Sequence, residues 1–410
     1  MPRPRRRAFA LAGGALLLFL VGTSVQAGWL LVLAACLLGA LLAGLVLPGR
    51  MLRGIAVERR VPAEAFQGEP VRVSLVVTNR SGGARLALDL RDEHLEPVRA
   101  FVPALAPGGV AIVEAERAAA RRGVHEASDV VIGSAAPFGA AERRRRVGVP
   151  GSTIVFPRVV PLGELAFLES APTPERAIHA APRRGAGPDY LGIREYRTGD
   201  SMRHVHWPST ARHGALMVRE FEREQTRRLV VVIDSVTDAA GAGATPLDVC
   251  CSVAASVAFA AQGAGQGVRL VAAVGGAPVS VSRSDPAATL RWLAELAPGG
   301  GLTLPELVDR LGEEVLGAAT LLLAAPTWRA NDPGTLVAAV AELVPRAPRV
   351  VVVLVEVHTF DGARRVPHLA PPSVDALERG LRDRGALVFR LPAGADLALA
   401  LAGSPIGVVA

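Results

Sequence analysis

The chain has 410 residues, half of them hydrophobic and 4% aromatic, with a mean hydropathy of +0.34, too apolar for a disordered polypeptide. All 45 basic residues are arginine; without lysine there is no GxxxxGK[ST] phosphate loop and no Schiff-base chemistry, and three cysteines cannot brace a chain this long. The net charge of +7 suggests a polyanion surface, yet eight arginines and one glutamate within residues 1–60 account for all of it, and the 37 basic and 37 acidic residues beyond cancel. That balance and the scarcity of aromatic rings argue against nucleic acid as a partner.

Residues 1–50 predict a transmembrane hairpin. The uncharged runs Ala8–Val25 and Trp29–Leu47 each approach the ~20 residues that cross a bilayer. Only Gln26, Ala27 and Gly28 separate them, and Pro48-Gly49 reads as the end of the second. Arginines flank both outer ends and none lies in the turn, which places both termini in the cytoplasm, on a cell-membrane protein with two spans. Arg6-Arg7 with Val25-Gln26-Ala27 resembles a cleaved export signal, but a second full span followed by arginines favours the uncleaved hairpin.

Over residues 51–160 the pattern changes to period two. Val71, Val73, Leu75 and Val77 alternate with Arg72, Ser74 and Thr78, Leu86, Leu88 and Leu90 resume after an Asn-Arg-Ser-Gly-Gly turn, and short apolar runs follow at Val110–Val113, Val130–Ile132 and Ile154–Phe156. This predicts a small antiparallel β-sandwich-like domain. Arg143–Arg146 reads as an edge strand kept soluble by charge, in preference to an anionic-lipid or partner contact.

Residues 161–228 interleave both charge signs and hold four of the eight histidines. Asp200 after Gly199 suits a helix cap, Pro208 suits a first helical turn, and Leu216–Phe221 suits a strand. Arginines and carboxylates so mixed predict a charge-assisted network around Tyr196 and Trp207. His204 and His206 are spaced i, i+2, so on a helix they point apart and make a poor metal pair. A general acid–base site within the Arg194–His213 cluster, using Asp200, Glu195 and a histidine, is chemically open, but no nucleophile motif accompanies it. A network clamping the β domain to the domain after it is the most economical reading.

The run from Gly187 to Glu224, with Arg194, Glu195, Tyr196, Gly199, Asp200, Arg203, Trp207, Arg212, Arg219 and Glu220, resembles the signature of the bacterial family named domain of unknown function 58. It departs at Pro208, where a basic residue is common. The resemblance extends to the layout of hairpin, β domain, signature and α/β domain. It implies a von Willebrand factor A-like last domain, a MoxR-type AAA+ ATPase as partner, a transglutaminase-like membrane protein as a further associate, and no settled activity.

Residues 229–410 predict a doubly wound α/β domain. Leu229–Asp234 is an apolar run ending in a carboxylate, and strands near 268–274, 319–324, 350–355 and 387–391 alternate with helices near 247–262, 286–296, 305–315, 334–343 and 374–384. Such alternation implies a parallel sheet covered on both faces. The resemblance implies a magnesium motif D-x-S-x-S after the first strand, where this chain has Asp234-Ser235-Val236-Thr237-Asp238. Val236 replaces one ligand serine, so the expectation is a degenerate site without metal or cofactor, with Asp234 and Asp238 its remaining carboxylates. The function expected is that of a non-enzymatic adaptor tethered to the lipid bilayer.

Overall fold

The computed structural model describes residues 3–4, 6–126, 128–163, 165, 184–195, 206–213, 215–222, 228–236, 244–282, 285–311, 319–327, 333–360 and 371–402. The chain divides into two compact units, Met1–Phe156 and Pro157–Ala410.

The first unit begins with two antiparallel helices, α1 (Arg6–Val25) and α2 (Gly28–Met51), each long and apolar enough to cross a membrane. Their outer surfaces expose Phe9, Leu16, Phe19, Val32 and Leu42, while Ala15, Gly22 and Ala34 are buried where the helices meet. Small residues there allow close approach: a Cβ on Gly22 would lie 3.0 Å from Leu30 Cβ. Thr23 and Ser24 donate to the carbonyls of Phe19 and Leu20, so neither hydroxyl is left bare in an apolar helix. α2 runs through Pro48 and Gly49 to Met51, past the end expected from sequence. Packing holds that last turn, since Pro48 is buried and Leu52 joins the β core.

Two sheets follow, face to face. One has the order β1 (Arg3–Pro4), β10 (Ala141–Val147), β9 (Val130–Ser134), β5 (Arg85–Asp92), β6 (Val98–Leu105); the other is β2 (Ile55–Arg60), β4 (Pro70–Asn79), β7 (Val110–Ala118). A third, small sheet joins β3 (Glu64–Phe66), β11 (Thr153–Phe156) and β8 (Gly123–His125). Leu75 and Val77 of β4 pack against Leu88, Leu90 and Ile132 of the opposing sheet, the dry interior that the period-two pattern requires.

At one end of this interior sits a buried ionic cluster. Arg59 clasps Asp92 through Nη2–Oδ1 at 2.6 Å and Nε–Oδ2 at 3.2 Å, and Arg117 Nη2 shares Oδ2 at 3.0 Å. All three side chains are at most 1% exposed. Arg59 also donates to the carbonyls of Ser128 and Val149, and Arg117 to that of His94. The His94 N–H donates to Asp92, and the His94 ring sits between the Glu126 carbonyl and Thr153 Oγ1. β2 and β7 belong to one sheet and β5 to the other, so the cluster ties the two sheets together.

Burial works against the Asp92 charge, but the Arg59 hydrogen bond and both guanidinium charges outweigh it and hold the carboxyl below its ordinary 3.8. Burial, then the Arg59 charge, push His94 below its ordinary 6.5. In each case the unfolded chain binds the proton more readily, so stability rises with pH across the gap between folded and unfolded values. Acid should therefore weaken this unit in two stages, first below pH 6.5 as unfolded His94 takes a proton, then below pH 3.8 as Asp92 does. Protease resistance of residues 55–156 measured against pH checks this; a flat profile from pH 7 to 5 would remove the His94 stage.

The second unit is built on a six-stranded sheet in the order β16 (Ala277–Val281), β15 (Gly267–Val274), β14 (Arg228–Ile233), β17 (Ala319–Pro326), β18 (Arg349–Val355), β19 (Leu387–Leu391). All neighbours are parallel except the β15–β16 hairpin. Residues of α6 (Leu304–Asp309), α7 (Pro333–Leu343) and α8 (Pro371–Asp383) cluster with Val230, Val232, Leu321 and Leu323 on one face. Leu229, Val231 and Ile233 are fully buried too, on the face taken by α4 (Pro246–Gly263), which packs on β14, β15 and β17. Two further helices among the described residues of this sheet domain are α5 (Pro286–Glu295) and α9 (Leu397–Ala402).

α4 is also apolar and long enough to cross a membrane, but 72% of its apolar window is buried in the unit, against 17% and 11% for α1 and α2. It is a core helix. A capping box starts it: Thr245 Oγ1 accepts from the Asp248 N–H and Asp248 Oδ2 accepts from the Thr245 N–H. Thr245→Ala should cost about 1 kcal/mol, read as a shift in the urea midpoint of tryptophan fluorescence.

Candidate functional site

Within the signature segment, β12 (Arg184–Glu195) pairs antiparallel with β13 (Met217–Glu222), setting Gly192 opposite Glu220, Ile193 opposite Arg219 and Arg194 opposite Val218. A short helix, α3 (Trp207–His213), lies between them in sequence. His206 begins it as a cap: its carbonyl accepts from the Ser209 and Thr210 N–H groups, and Nδ1 lies 3.3 Å from the Ser209 nitrogen and 2.8 Å from Ser209 Oγ. An N–H aimed at Nδ1 puts the proton of the neutral ring on Nε2, so Nδ1 serves the helix end. The helix is fastened to β13 by the His206 N–H donating to the Met217 carbonyl and by the Met217 N–H donating to Thr210 Oγ1.

Trp207 is 64% exposed, and most of the arginines and carboxylates expected around it lie outside the described side chains. Arg212 is exposed on the same helix. Arg194, Glu195, Arg219 and Glu220 are placed by strand register, while Tyr196, Gly199, Asp200 and Arg203 lie outside the described residues.

The second candidate is the rim of the parallel sheet, where ligands of open α/β folds bind beyond the carboxyl ends of the strands. Asp234 follows β14 between β15 and β17; its N–H donates to the Ala324 carbonyl and its Oδ1 accepts the Val236 N–H at 3.0 Å. Ser235 points inward, 1% exposed, with Oγ donating to the Ala273 carbonyl at 2.7 Å and its own carbonyl accepting from the Gly299 and Gly300 N–H groups. Thr327, just past β17, accepts the Val357 N–H. Magnesium asks for several oxygens in near-octahedral array; here Asp234 Oδ1 already accepts from its own loop and Val236 carries no oxygen ligand. Asp238 lies outside the described residues, and no cluster of three or more His, Cys, Asp or Glu is placed to hold a metal among the described ones. Beside this rim a cavity of about 390 Å³ is lined by Trp292, Glu295 and the 296–300 loop.

Two ionic groups escaped the sequence reading. One is the Arg59–Asp92–Arg117 cluster. The other lies at the outer end of the sheet, where Arg390 on β19 binds Glu356 at 2.5 Å, Asp375 at 2.6 Å and Glu378 at 3.2 Å. Burial opposes the Arg390 charge, and the hydrogen bonds it donates to Glu356 and Asp375 more than restore it, raising its pKa above the ordinary value.

A hairpin of membrane-competent helices, a β sandwich and a mostly parallel α/β sheet define a membrane-associated protein with two folded units. Residues 192–332 match the family model described as "Protein of unknown function DUF58", so this segment is similar to that family. No curated protein matches the chain. Among solved structures, the CARDB domain of a Pyrococcus furiosus protein in complex with di-metal ions is similar over 23% of this chain and 86% of its own, at 12% identity and TM-score 0.17. A β-glucosidase from Listeria innocua in complex with gluconolactone is similar over 24% of this chain and 16% of its own, at 21% identity and TM-score 0.14. The DNA glycosylase AlkC from Pseudomonas fluorescens is similar over 31% of this chain and 42% of its own, at 14% identity and TM-score 0.16.

Proposed function

We propose that this protein is a membrane-tethered adaptor with no catalytic chemistry of its own and no metal or cofactor. Both termini lie in the cytoplasm, and the α/β unit is a von Willebrand factor A-like module that docks a MoxR-type AAA+ ATPase for envelope-related assembly, alongside a transglutaminase-like membrane protein. The observation that carries the reading is the rim of the sheet. Asp234, Ser235 and Thr327 spend hydrogen bonds on the fold itself, which suits a fixed docking edge better than a reaction centre. The parallel sheet with its antiparallel edge hairpin and a carboxylate after its first strand supports the von Willebrand factor A-like assignment. The chain has no phosphate loop of lysine type, so energy would come from the partner.

Nucleotide-dependent co-purification of the ATPase with the full chain from membranes tests this; no association in any nucleotide state would overturn it. His206→Asn separates adaptor from enzyme, because asparagine still caps a helix but cannot exchange protons near neutrality. Function should survive that change, and its loss in a folded variant would favour chemistry in the Arg194–His213 cluster.

A further inference from the structure

We infer that the β9–β10 loop, residues 135–140, is a third membrane contact: with Phe138 at its tip it lies in the interfacial layer of the bilayer, beside the cytoplasmic end of the hairpin. The inference rests on the hairpin spanning the membrane. Its geometric basis is where the loop seats on α2. A Cβ at Gly44 would lie 2.7 Å from Ala140 Cβ and 3.7 Å from Phe138 Cβ, so the loop touches the helix at a position without a side chain. Gly44 precedes Leu45, Val46 and Leu47, the last residues of the apolar run. At 1.5 Å per residue it lies about 5 Å below Leu47 along the helix axis, within the hydrocarbon edge. On α1 the same loop meets the polar end, with the Gly139 Cβ direction 3.1 Å from the Arg7 guanidinium.

Phe138 is nonetheless 47% exposed and Phe101, which shares a surface hollow with Pro137 and Gly139, is 63% exposed. Two exposed phenylalanines beside a membrane-spanning hairpin would face water at a cost unless the interface covers them. The charges are arranged to match. Arg7 lies beside the loop, and Arg143, on the strand the loop feeds, packs against Gly49 at the last turn of α2. Arg146 is exposed on that strand, and Arg144, exposed as well, is paired with Glu142 at 2.7 Å. Aromatic rings at the depth of the acyl boundary with guanidiniums above them suit a bilayer surface carrying anionic headgroups.

The test uses the full chain in vesicles of neutral lipid and of neutral lipid mixed with anionic phosphatidylglycerol. Phe138→Trp is compared with the parent, whose four tryptophans are subtracted. The added indole should emit to the blue of an aqueous one, resist iodide, and be quenched more by lipids brominated near the headgroup end of the acyl chain than near its methyl end. Anionic lipid should strengthen the shift. Gly44→Val, which drives a side chain into Ala140, should return the indole toward water in the double variant. If the protein resists carbonate extraction while iodide quenches the new indole as freely as a soluble one, the loop inference fails and the hairpin stands. If carbonate releases the protein, both fail.

Discussion

Asp92→Ala is expected to cost the amino-terminal unit about 3–5 kcal/mol, because it leaves two buried guanidiniums facing each other without a counter-ion. The loss should appear as protease cleavage within residues 55–156 at a urea concentration that leaves the parent intact. Tryptophan fluorescence should barely respond, since none of the four tryptophans lies in the sandwich. Replacing the group together, with Arg59→Met, Asp92→Leu and Arg117→Met, should recover part of that loss, since a buried ion triad is often matched by apolar residues of similar volume. Recovery should be incomplete, because the carbonyls of Ser128, Val149 and His94 lose their donors. An Asp92→Ala variant as stable as the parent would mean the cluster does not hold the sheets together.

Gly300→Ala should produce the second large effect, in the other unit. An alanine Cβ there would sit 2.4 Å from both the Ala273 carbonyl oxygen and Ser235 Oγ, and the first of these is backbone in a buried parallel strand. Relief requires moving the 298–301 loop away from Ser235, which breaks the two N–H bonds to its carbonyl. The cost is about 1–3 kcal/mol for overpacking, with lost hydrogen bonds of about 1 kcal/mol each beyond that. Trp292 lies in the adjacent helix α5, so its fluorescence should report the lowered urea midpoint. An unchanged midpoint would show that the rim is looser than its contacts imply.

Much of the architecture is legible from local pattern. The alternation of Val71, Val73, Leu75 and Val77 becomes β4, with each of the four buried, and the unbroken run at Leu229 becomes a central parallel strand. The two apolar runs become the hairpin because no charge interrupts them. The buried charges lay in the same patterns and went unread. Arg59 shares strand parity with Ile55 and Val57, Asp92 with Leu88 and Leu90, and Arg117 with Val113, so each charge belongs to an inward-facing set. That parity could have placed them inside, but only the packing of one sheet on another shows that the three meet. The two-residue strand Arg3–Pro4 and the three-residue strand Gly123–His125 are too short to show any period. In the signature segment the strand at Leu216–Phe221 and the helix at Pro208 are readable from local pattern.

The direct passage of α2 into the sandwich has a mechanical consequence. Leu52 is already core and β2 begins at Ile55, so no slack tether separates helix from sheet. With the hairpin in a bilayer, the sandwich turns only when the hairpin turns. A pull on that domain would reach the lipid as a tilt of two helices, and the angle it presents to the surrounding water is set by the lever arm of α2.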